Sequence, residues 1–148
     1  EIPTEASARK RVVIFAFHCN RPDFVRLQAE ALKHFILDEF TLVVINDAPE
    51  EEMRAQIAAV ATEVGAEHVQ TPDYFDHSDP SEVVGRIVTW AVQDVALKRF
   101  DNSLLFLLEG DMFPVAPFSP SKFMQTADIA GTEQGRRHKS SGFLLRYL

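Results

Sequence analysis

Residues 12–17 read Val-Val-Ile-Phe-Ala-Phe, and this unbroken apolar run decides the fold class. Two further runs of the same kind follow, Leu42-Val43-Val44-Ile45 and Leu104-Leu105-Phe106-Leu107-Leu108. Apolar runs rich in β-branched and aromatic residues, without polar alternation, are typical of strands that are buried on both faces of a parallel sheet. The third run is the most apolar, and we expect it to form the central strand.

Helical patterns separate these runs. Pro22 suits the first turn of one helix, and a second helix is predicted to follow Pro49. Asp79 precedes a third helix, predicted to run to about Arg99, and residues 66–70 form a short, weaker strand between the last two helices. The alternating order predicts a three-layer α/β fold with a mainly parallel central sheet and helices on both faces. Ligands of such folds bind beyond the carboxyl ends of the strands.

Composition limits the classes of protein to which the chain can belong. Of 148 residues, 46% are hydrophobic, which is enough apolar material to exclude global disorder. With 15 Lys and Arg against 22 Asp and Glu, the formal net charge is −7, so no nonspecific nucleic-acid binding is expected. No apolar run approaches about 20 residues, so no membrane span is expected. A single cysteine excludes an internal disulfide and a Cys-rich zinc site, and favours a reducing, cytoplasmic compartment.

The two ends of the chain suggest its domain organisation. Residues 1–10 are polar and are predicted to be a loose leader, whereas residues 11–148 are predicted to form a single α/β domain. The chain begins with Glu1 and stops at Leu148 within an apolar segment, so we expect the domain to be incomplete at its C-terminus. An exposed edge strand in such a sheet would favour homo-oligomer formation.

Polar residues follow three of the predicted strands, namely His18-Cys19-Asn20, Asn46-Asp47 and Glu109-Gly110-Asp111. No glycine-rich phosphate loop is present, so a phosphate ligand would need another means of binding. Carboxylates can supply it by holding Mg²⁺ or Mn²⁺, which prefers oxygen ligands and completes its shell with phosphate and water. Residues i and i+2 of an extended segment point to the same side, so Glu109 and Asp111 are candidate ligands, with Gly110 leaving room for a ligand. A merely polar strand end is the alternative.

These segments resemble, in order, parts of the family 2-type glycosyltransferases with the GT-A fold. Residues 13–23 resemble their first strand and turn, and residues 42–48 resemble their second strand, which ends in an acidic pair. Residues 107–111 resemble the DxD motif after their fourth strand, and residues 128–131 resemble the following strand. The resemblance therefore implies a domain that binds a nucleoside-diphosphate sugar, linked to UDP or GDP, and transfers the sugar to an acceptor.

The resemblance also implies roles for individual residues. Phe17, His18 and Asn20 would line the nucleotide pocket, and Asp47 would accept a hydrogen bond from the base. Arg86, in the helix before the fourth strand, would lie near the nucleotide.

The same resemblance implies how the diphosphate is held. Glu109 would hold the ribose hydroxyls or a metal-bound water, and Asp111 would ligate Mn²⁺ or Mg²⁺ bridging the diphosphate. The chain departs from the family pattern at Glu109, which replaces the usual Asp, and at Asn46, which replaces one acid of the usual pair. No candidate for the catalytic base is found, because inverting members take it from the half that follows.

Other interpretations remain open. A nucleotidyltransferase would share the strand-end carboxylates but usually has a glycine-rich, basic first turn, and a degenerate, non-catalytic α/β module would need neither. Cys19 could act as a nucleophile if its pKa were depressed. The loop residues Tyr74, Phe75 and His77 could cover a base or a sugar, or only pack locally. The basic residues at 136–139 could close over a diphosphate.

Overall fold

The computed structural model describes residues 11–124 of the chain. Four parallel strands form one sheet in the order β3-β2-β1-β4. The strands are β1 (Val12–His18), β2 (Phe40–Asn46), β3 (Glu67–Gln70) and β4 (Leu104–Glu109). The helices are α1 (Pro22–Phe35), α2 (Glu51–Glu63), α3 (Pro80–Trp90), a π-helical segment (Ala91–Ala96), α4 (Leu97–Arg99) and α5 (Pro120–Met124).

The strands pack against helices on both faces of the sheet. Successive strand residues point to opposite faces, so Ile14 belongs to a core cluster with α1 and α2, whereas Phe15 belongs to one with α3. Both residues are fully buried. The prediction of an α/β fold with a parallel sheet flanked by helices is therefore confirmed.

The predicted position of β4 is wrong within the part of the chain that the structure describes. There β4 pairs only with β1, while β1 and β2 are the two inner strands. Apolar content alone misled the prediction, since Leu107 of β4 is 39% exposed whereas Phe15 of β1 is 0% exposed. The predicted leader at 1–10, the predicted strands at 128–131 and 143–148 and the basic residues at 136–139 lie outside the described residues.

The helix boundaries follow local chemistry that the sequence displays. Pro22 opens α1, and Gly65 follows α2 with a φ of 76°, a conformation that glycine adopts without steric cost. The Asp79 side chain caps α3 by accepting hydrogen bonds from the backbone N–H groups of Ser81 (3.0 Å) and Glu82 (3.2 Å).

The third helical stretch does reach Arg99, but it contains the π-helical segment Ala91–Ala96, which was not predicted. Buried residues recur every fourth position at Val83, Ile87, Ala91 and Val95. In an α-helix, residues four positions apart are offset by about 40° around the helix axis, so such a stripe turns away from the sheet by that angle at each step. A π turn contains more residues than an α turn, so a step of four residues falls short of a full turn and the offset is reversed after Ala91. Val95 therefore remains on the side of the helix that packs against the sheet.

The segment after β4 is a proline-containing loop, as predicted, but it ends in the short, unpredicted helix α5. Asp38 anchors this helix, accepting hydrogen bonds from the Ser119 hydroxyl (2.7 Å) and from the Ser121 hydroxyl. Ile36 and Phe118 form an isolated parallel bridge beside it. Within residues 11–124, none of the helices has the length and apolar character needed to cross a membrane.

Candidate functional site at the carboxyl edge of the sheet

The carboxyl ends of β1, β2 and β4 lie at the same level of the sheet. Phe17 pairs in register with Ile45 of β2 on one side and with Glu109 of β4 on the other. The chain runs from β1 to β2 and β3 in one direction, and then returns to the opposite side of β1 as β4. The strand order therefore reverses between β1 and β4, which is where open α/β sheets form their ligand crevice.

The structure separates the three residues predicted to line the nucleotide pocket. Phe17 points to the α3 face and packs in its core, whereas His18 is buried on the α1 face. Asn20 is exposed in the bend that follows β1. Alternation along the strand explains the separation, because adjacent residues cannot line the same face.

On the α1 face, Gln28 links the end of β1 to the end of β4 and the turn after it. Its side chain is buried, and its amide nitrogen donates to the backbone carbonyls of Glu109 (2.9 Å) and Met112 (2.7 Å). Its amide oxygen lies 2.9 Å from Nε2 of His18. Because that oxygen can only accept, His18 must carry its proton on Nε2. Burial lowers the pKa of His18, opposed by this hydrogen bond, so the ring is neutral near pH 7.

Gly110 packs against β1, which corrects the expectation that it leaves room for a ligand. A Cβ atom at this position would lie 2.5 Å from the carbonyl oxygen of Phe17 and 2.8 Å from Nδ1 of His18. The protein itself therefore occupies the space beside Gly110. Together with Gln28, this close contact fixes the end of β4 at Glu109 and the turn that carries Asp111.

Glu109 is the last residue of β4, whereas Asp111 lies in the turn that follows it. The backbone N–H of Met112 donates to the carbonyl of Glu109 (3.1 Å), so the expectation that both side chains point to one side of a strand does not apply. Both residues are exposed, and neither side chain has a hydrogen bond or ion pair with any described residue. Two free carboxylates suit Mg²⁺ or Mn²⁺ in ligand type and leave most of the shell to phosphate and water. Residues 11–124 contain no group of three or more His, Cys, Asp or Glu side chains arranged to hold a metal.

On the α3 face, Asp47 follows β2 and is held in a fixed orientation. Its Oδ1 accepts hydrogen bonds from the hydroxyl of Thr71 (3.2 Å) and from Nε2 of His77 (3.0 Å), and its backbone N–H donates to the carbonyl of His18 (2.8 Å). Its Oδ2 makes no hydrogen bond within residues 11–124. Asp47 is buried and His77 is half-buried, so this carboxylate offers one acceptor atom beside the carboxyl edge.

Asn46, the residue that replaces an acid of the family pattern, has a structural role. Its amide nitrogen donates to the carbonyl of Arg54 (2.9 Å) and to Nε2 of His68 (3.0 Å), and its amide oxygen accepts from the N–H of Ala48 (3.2 Å). A carboxylate at this position would have no proton to donate to the first two partners. Burial lowers the pKa of His68, which keeps the ring neutral and able to accept.

The environment of Cys19 contradicts its interpretation as a nucleophile. Partial burial, and secondarily the nearby Asp47 carboxylate, raise the pKa of the Cys19 thiol. A thiol with a raised pKa is protonated near pH 7, and only the thiolate attacks. Nothing therefore activates this cysteine within residues 11–124.

Arg86 does not join Asp47 or Glu109. It forms an ion pair with Glu82 one turn earlier in α3 and lines a groove along that helix. The structure thus brings Phe17, Asp47 and Glu109 to one edge and one face, and leaves His18, Asn20 and Arg86 elsewhere.

Sequence reasoning did not identify Gln28, Thr71 or the contact of His77 with Asp47. A glutamine on a helix is ordinarily a surface residue, and the one signal is its position one turn after Phe24, facing the end of β1. No model of a known protein family matches the chain, and no curated protein sequence is significantly similar to it.

Proposed function

We propose that the domain binds a nucleoside-diphosphate sugar, linked to UDP or GDP, with Mn²⁺ or Mg²⁺, as the donor-binding part of a family 2-type glycosyltransferase with the GT-A fold. One observation carries the proposal: acidic side chains that follow β2 and β4 lie at the same carboxyl edge, on either side of β1. The strand order reverses at this edge.

Asp47 is suited to recognise the base. Its Oδ1 is occupied by Thr71 and His77, while Oδ2 is left to accept one hydrogen bond from a ligand N–H. A side chain held by two partners loses little entropy on binding and favours one ligand orientation. In this proposal the base lies against the α3 face of the edge, and Phe17 supports it from below.

The turn after β4 is suited to the diphosphate. Neighbouring strands are about 4.8 Å apart, so β2 and β4 are separated by roughly 10 Å, which suits a ligand that lies across β1. Glu109 and Asp111 would hold the divalent cation, which would stabilise the negative charge of the departing nucleoside diphosphate. The buried Gln28 keeps both residues in place through the Glu109 and Met112 carbonyls.

Calorimetry with UDP and GDP, with and without Mn²⁺, tests the proposal. We expect binding of one diphosphate that strengthens with Mn²⁺, and a loss of at least about tenfold, or 1.4 kcal/mol, in Asp111→Asn and in Glu109→Gln. Asp47→Asn should weaken binding with and without Mn²⁺, since it acts on the base and not on the metal. The matched control is Glu30→Gln, an exposed acid on α1, which should bind like the wild type.

Other outcomes would contradict the proposal. Preferential binding of nucleoside triphosphates would instead favour a nucleotidyltransferase, which shares acidic strand ends. An absence of binding for every nucleotide would leave a non-catalytic α/β module.

A further inference from the structure

A groove of about 620 Å³ runs along the outer side of α3 and into the π-helical segment. It is lined by the aromatic residues Tyr74, Phe75 and Trp90 and by polar side chains that include Arg86, Gln93 and Asp94. From Glu82 to Asp94 the groove extends roughly 18 Å along the helix axis, which exceeds the length of one sugar ring. Its shape suits an elongated ligand.

The aromatic residues form a connected row. Tyr74 lies 4.8 Å from Phe75 between ring centroids, tilted by 42°, and the Phe75 ring meets Trp90 edge-on at 6.2 Å. Tyr74 is 72% exposed, although its side chain is large and mostly apolar. An exposed aromatic ring rimmed by polar groups is a feature of ligand-binding surfaces. Its face can pack against the C–H groups of a sugar ring.

The charges of the groove favour a neutral ligand over a phosphate. Arg86 is already paired with Glu82, and Asp94 is paired with Lys98 at 2.6 Å. Among residues 11–124, the one basic side chain that lines the groove, Arg86, is therefore already paired, and a phosphate would have to compete with Glu82 for it. The Gln93 amide makes no hydrogen bond within residues 11–124 and can both donate to and accept from hydroxyl groups.

The backbone of the helix also favours an open groove. Gly85 lies in the interior of α3, where glycine costs about 0.5–1 kcal/mol relative to alanine. A Cβ atom there would meet nothing within 4 Å, so packing does not require the glycine. Its effect is to keep the groove wide between Glu82 and Thr89. The π-helical segment begins directly after Trp90, and such segments occur often at functional sites.

We infer that this groove binds a neutral oligosaccharide, with sugar rings packed on Tyr74 and hydroxyl groups bonded to Gln93. That this oligosaccharide is the acceptor of sugar transfer rests on the proposed function, but its binding to the groove does not. A smaller cavity of about 70 Å³ shares Glu82 and Arg86 with the groove and reaches Asp76 and Ser78, next to His77. The groove therefore extends toward the residue that bonds Asp47.

Trp90 makes the inference testable, because it is the single tryptophan of the chain and lines the groove. We expect a saturable change of its fluorescence with at least one of maltotetraose, cellotetraose and chitotetraose, in the absence of nucleotide and metal. Tyr74→Ala should weaken that response tenfold or more, and Gly85→Leu should abolish it by filling the groove. Leu37→Ala, which removes an exposed side chain outside the groove, is the control, and circular dichroism confirms that each variant is folded.

An absence of response to all three oligosaccharides, or an unchanged response in folded Tyr74→Ala, would overturn the inference. A fluorescence response to UDP alone that is lost in Tyr74→Ala would also overturn it, because the groove would then bind an anionic ligand. Since no nucleotide is present in the main titration, failure of the UDP and GDP calorimetry contradicts only the donor site.

Discussion

Gly110 and Gly85 have opposite surroundings, although both are flanked by residues assigned to candidate sites. Gly110 has backbone and ring atoms of β1 within 3 Å of an added Cβ, whereas Gly85 has open space. The sequence contains both glycines without distinguishing them, because the neighbours of Gly110 come from Phe17 and His18, more than ninety positions away. Only the folded sheet reveals which glycine is required.

We predict that Gly110→Ala lowers the free energy of unfolding by about 1–3 kcal/mol, the usual cost of overpacking. Gly85→Ala is the matched control and should raise it by about 0.5–1 kcal/mol, because alanine is the better helix former. Urea unfolding monitored by circular dichroism measures both. Equal effects of the two substitutions would contradict the close packing of Gly110 on β1.

Polar side chains that cross between elements explain why the site was predicted only in part. The acids Asp47, Glu109 and Asp111 were recognised because they directly follow apolar runs. Gln28 was not recognised, because its partners are carbonyl groups 81 and 84 positions later in the chain. The tight turn at Asp111 depends on the same distant contacts.

At the scale of elements, the helices differ in how they begin. Asp79 caps α3 with its side chain, whereas Glu50, the corresponding residue of α2, makes no such hydrogen bond despite extended backbone angles. Local signals of this kind are readable from sequence, and the starts of α1 and α3 were predicted correctly. The π-helical segment was not, because it reflects the fit of Val95 to the sheet.

We predict that Asp79→Ala lowers the free energy of unfolding by about 1 kcal/mol, since two N–H groups lose their acceptor. Glu50→Ser should raise it by about 0.5–1 kcal/mol, because a short hydroxyl side chain can cap α2 where Glu50 does not. Thermal unfolding of the two variants and the wild type measures both. A loss of stability in Glu50→Ser would show that the start of α2 depends on the longer side chain.

At the scale of the whole molecule, the type of sheet was predicted correctly, whereas the expectation of a central β4 differs from the position of this strand within residues 11–124. Three apolar runs identify β1, β2 and β4, yet their hydropathy does not indicate which of these strands has two neighbours among residues 11–124. That property depends on the crossover from α4 to β4, which takes the chain to the opposite side of β1. In the part of the chain that the structure describes, burial and not apolar content distinguishes β1 and β2 from β4.

The whole molecule should lose stability in mild acid. Burial lowers the pKa values of His18 and His68 from their ordinary 6.5. Below about pH 6.5 the unfolded chain then binds protons that the folded chain does not, so the free energy of unfolding falls as the pH decreases. The contribution of the two neutral histidines to this free energy is retained above that pH. Each histidine contributes at most about 1.4 kcal/mol per pH unit.

Urea unfolding at pH 7.5, 6.5 and 5.5 measures this dependence. His18→Asn and His68→Asn should each be less stable at pH 7.5 but show a shallower fall toward pH 5.5. A slope that is identical in the wild type and in both variants would contradict the assignment to these two rings.

The bonds that join the strand ends have a consequence for ionic strength. Asn46 and Gln28 hold the carboxyl edge through uncharged amide groups. Of the seven ion pairs within residues 11–124, six have at least one side chain that is more than 40% exposed. At 0.1 M salt, interactions between exposed charges more than about 10 Å apart are largely screened, and exposed ion pairs are weakened, whereas neutral hydrogen bonds are largely unaffected. Raising the salt concentration should therefore weaken the long-range attraction of a charged ligand, while the hydrogen bonds that hold the edge around Asp47 persist. A salt titration of ligand binding thus separates long-range attraction from local fit.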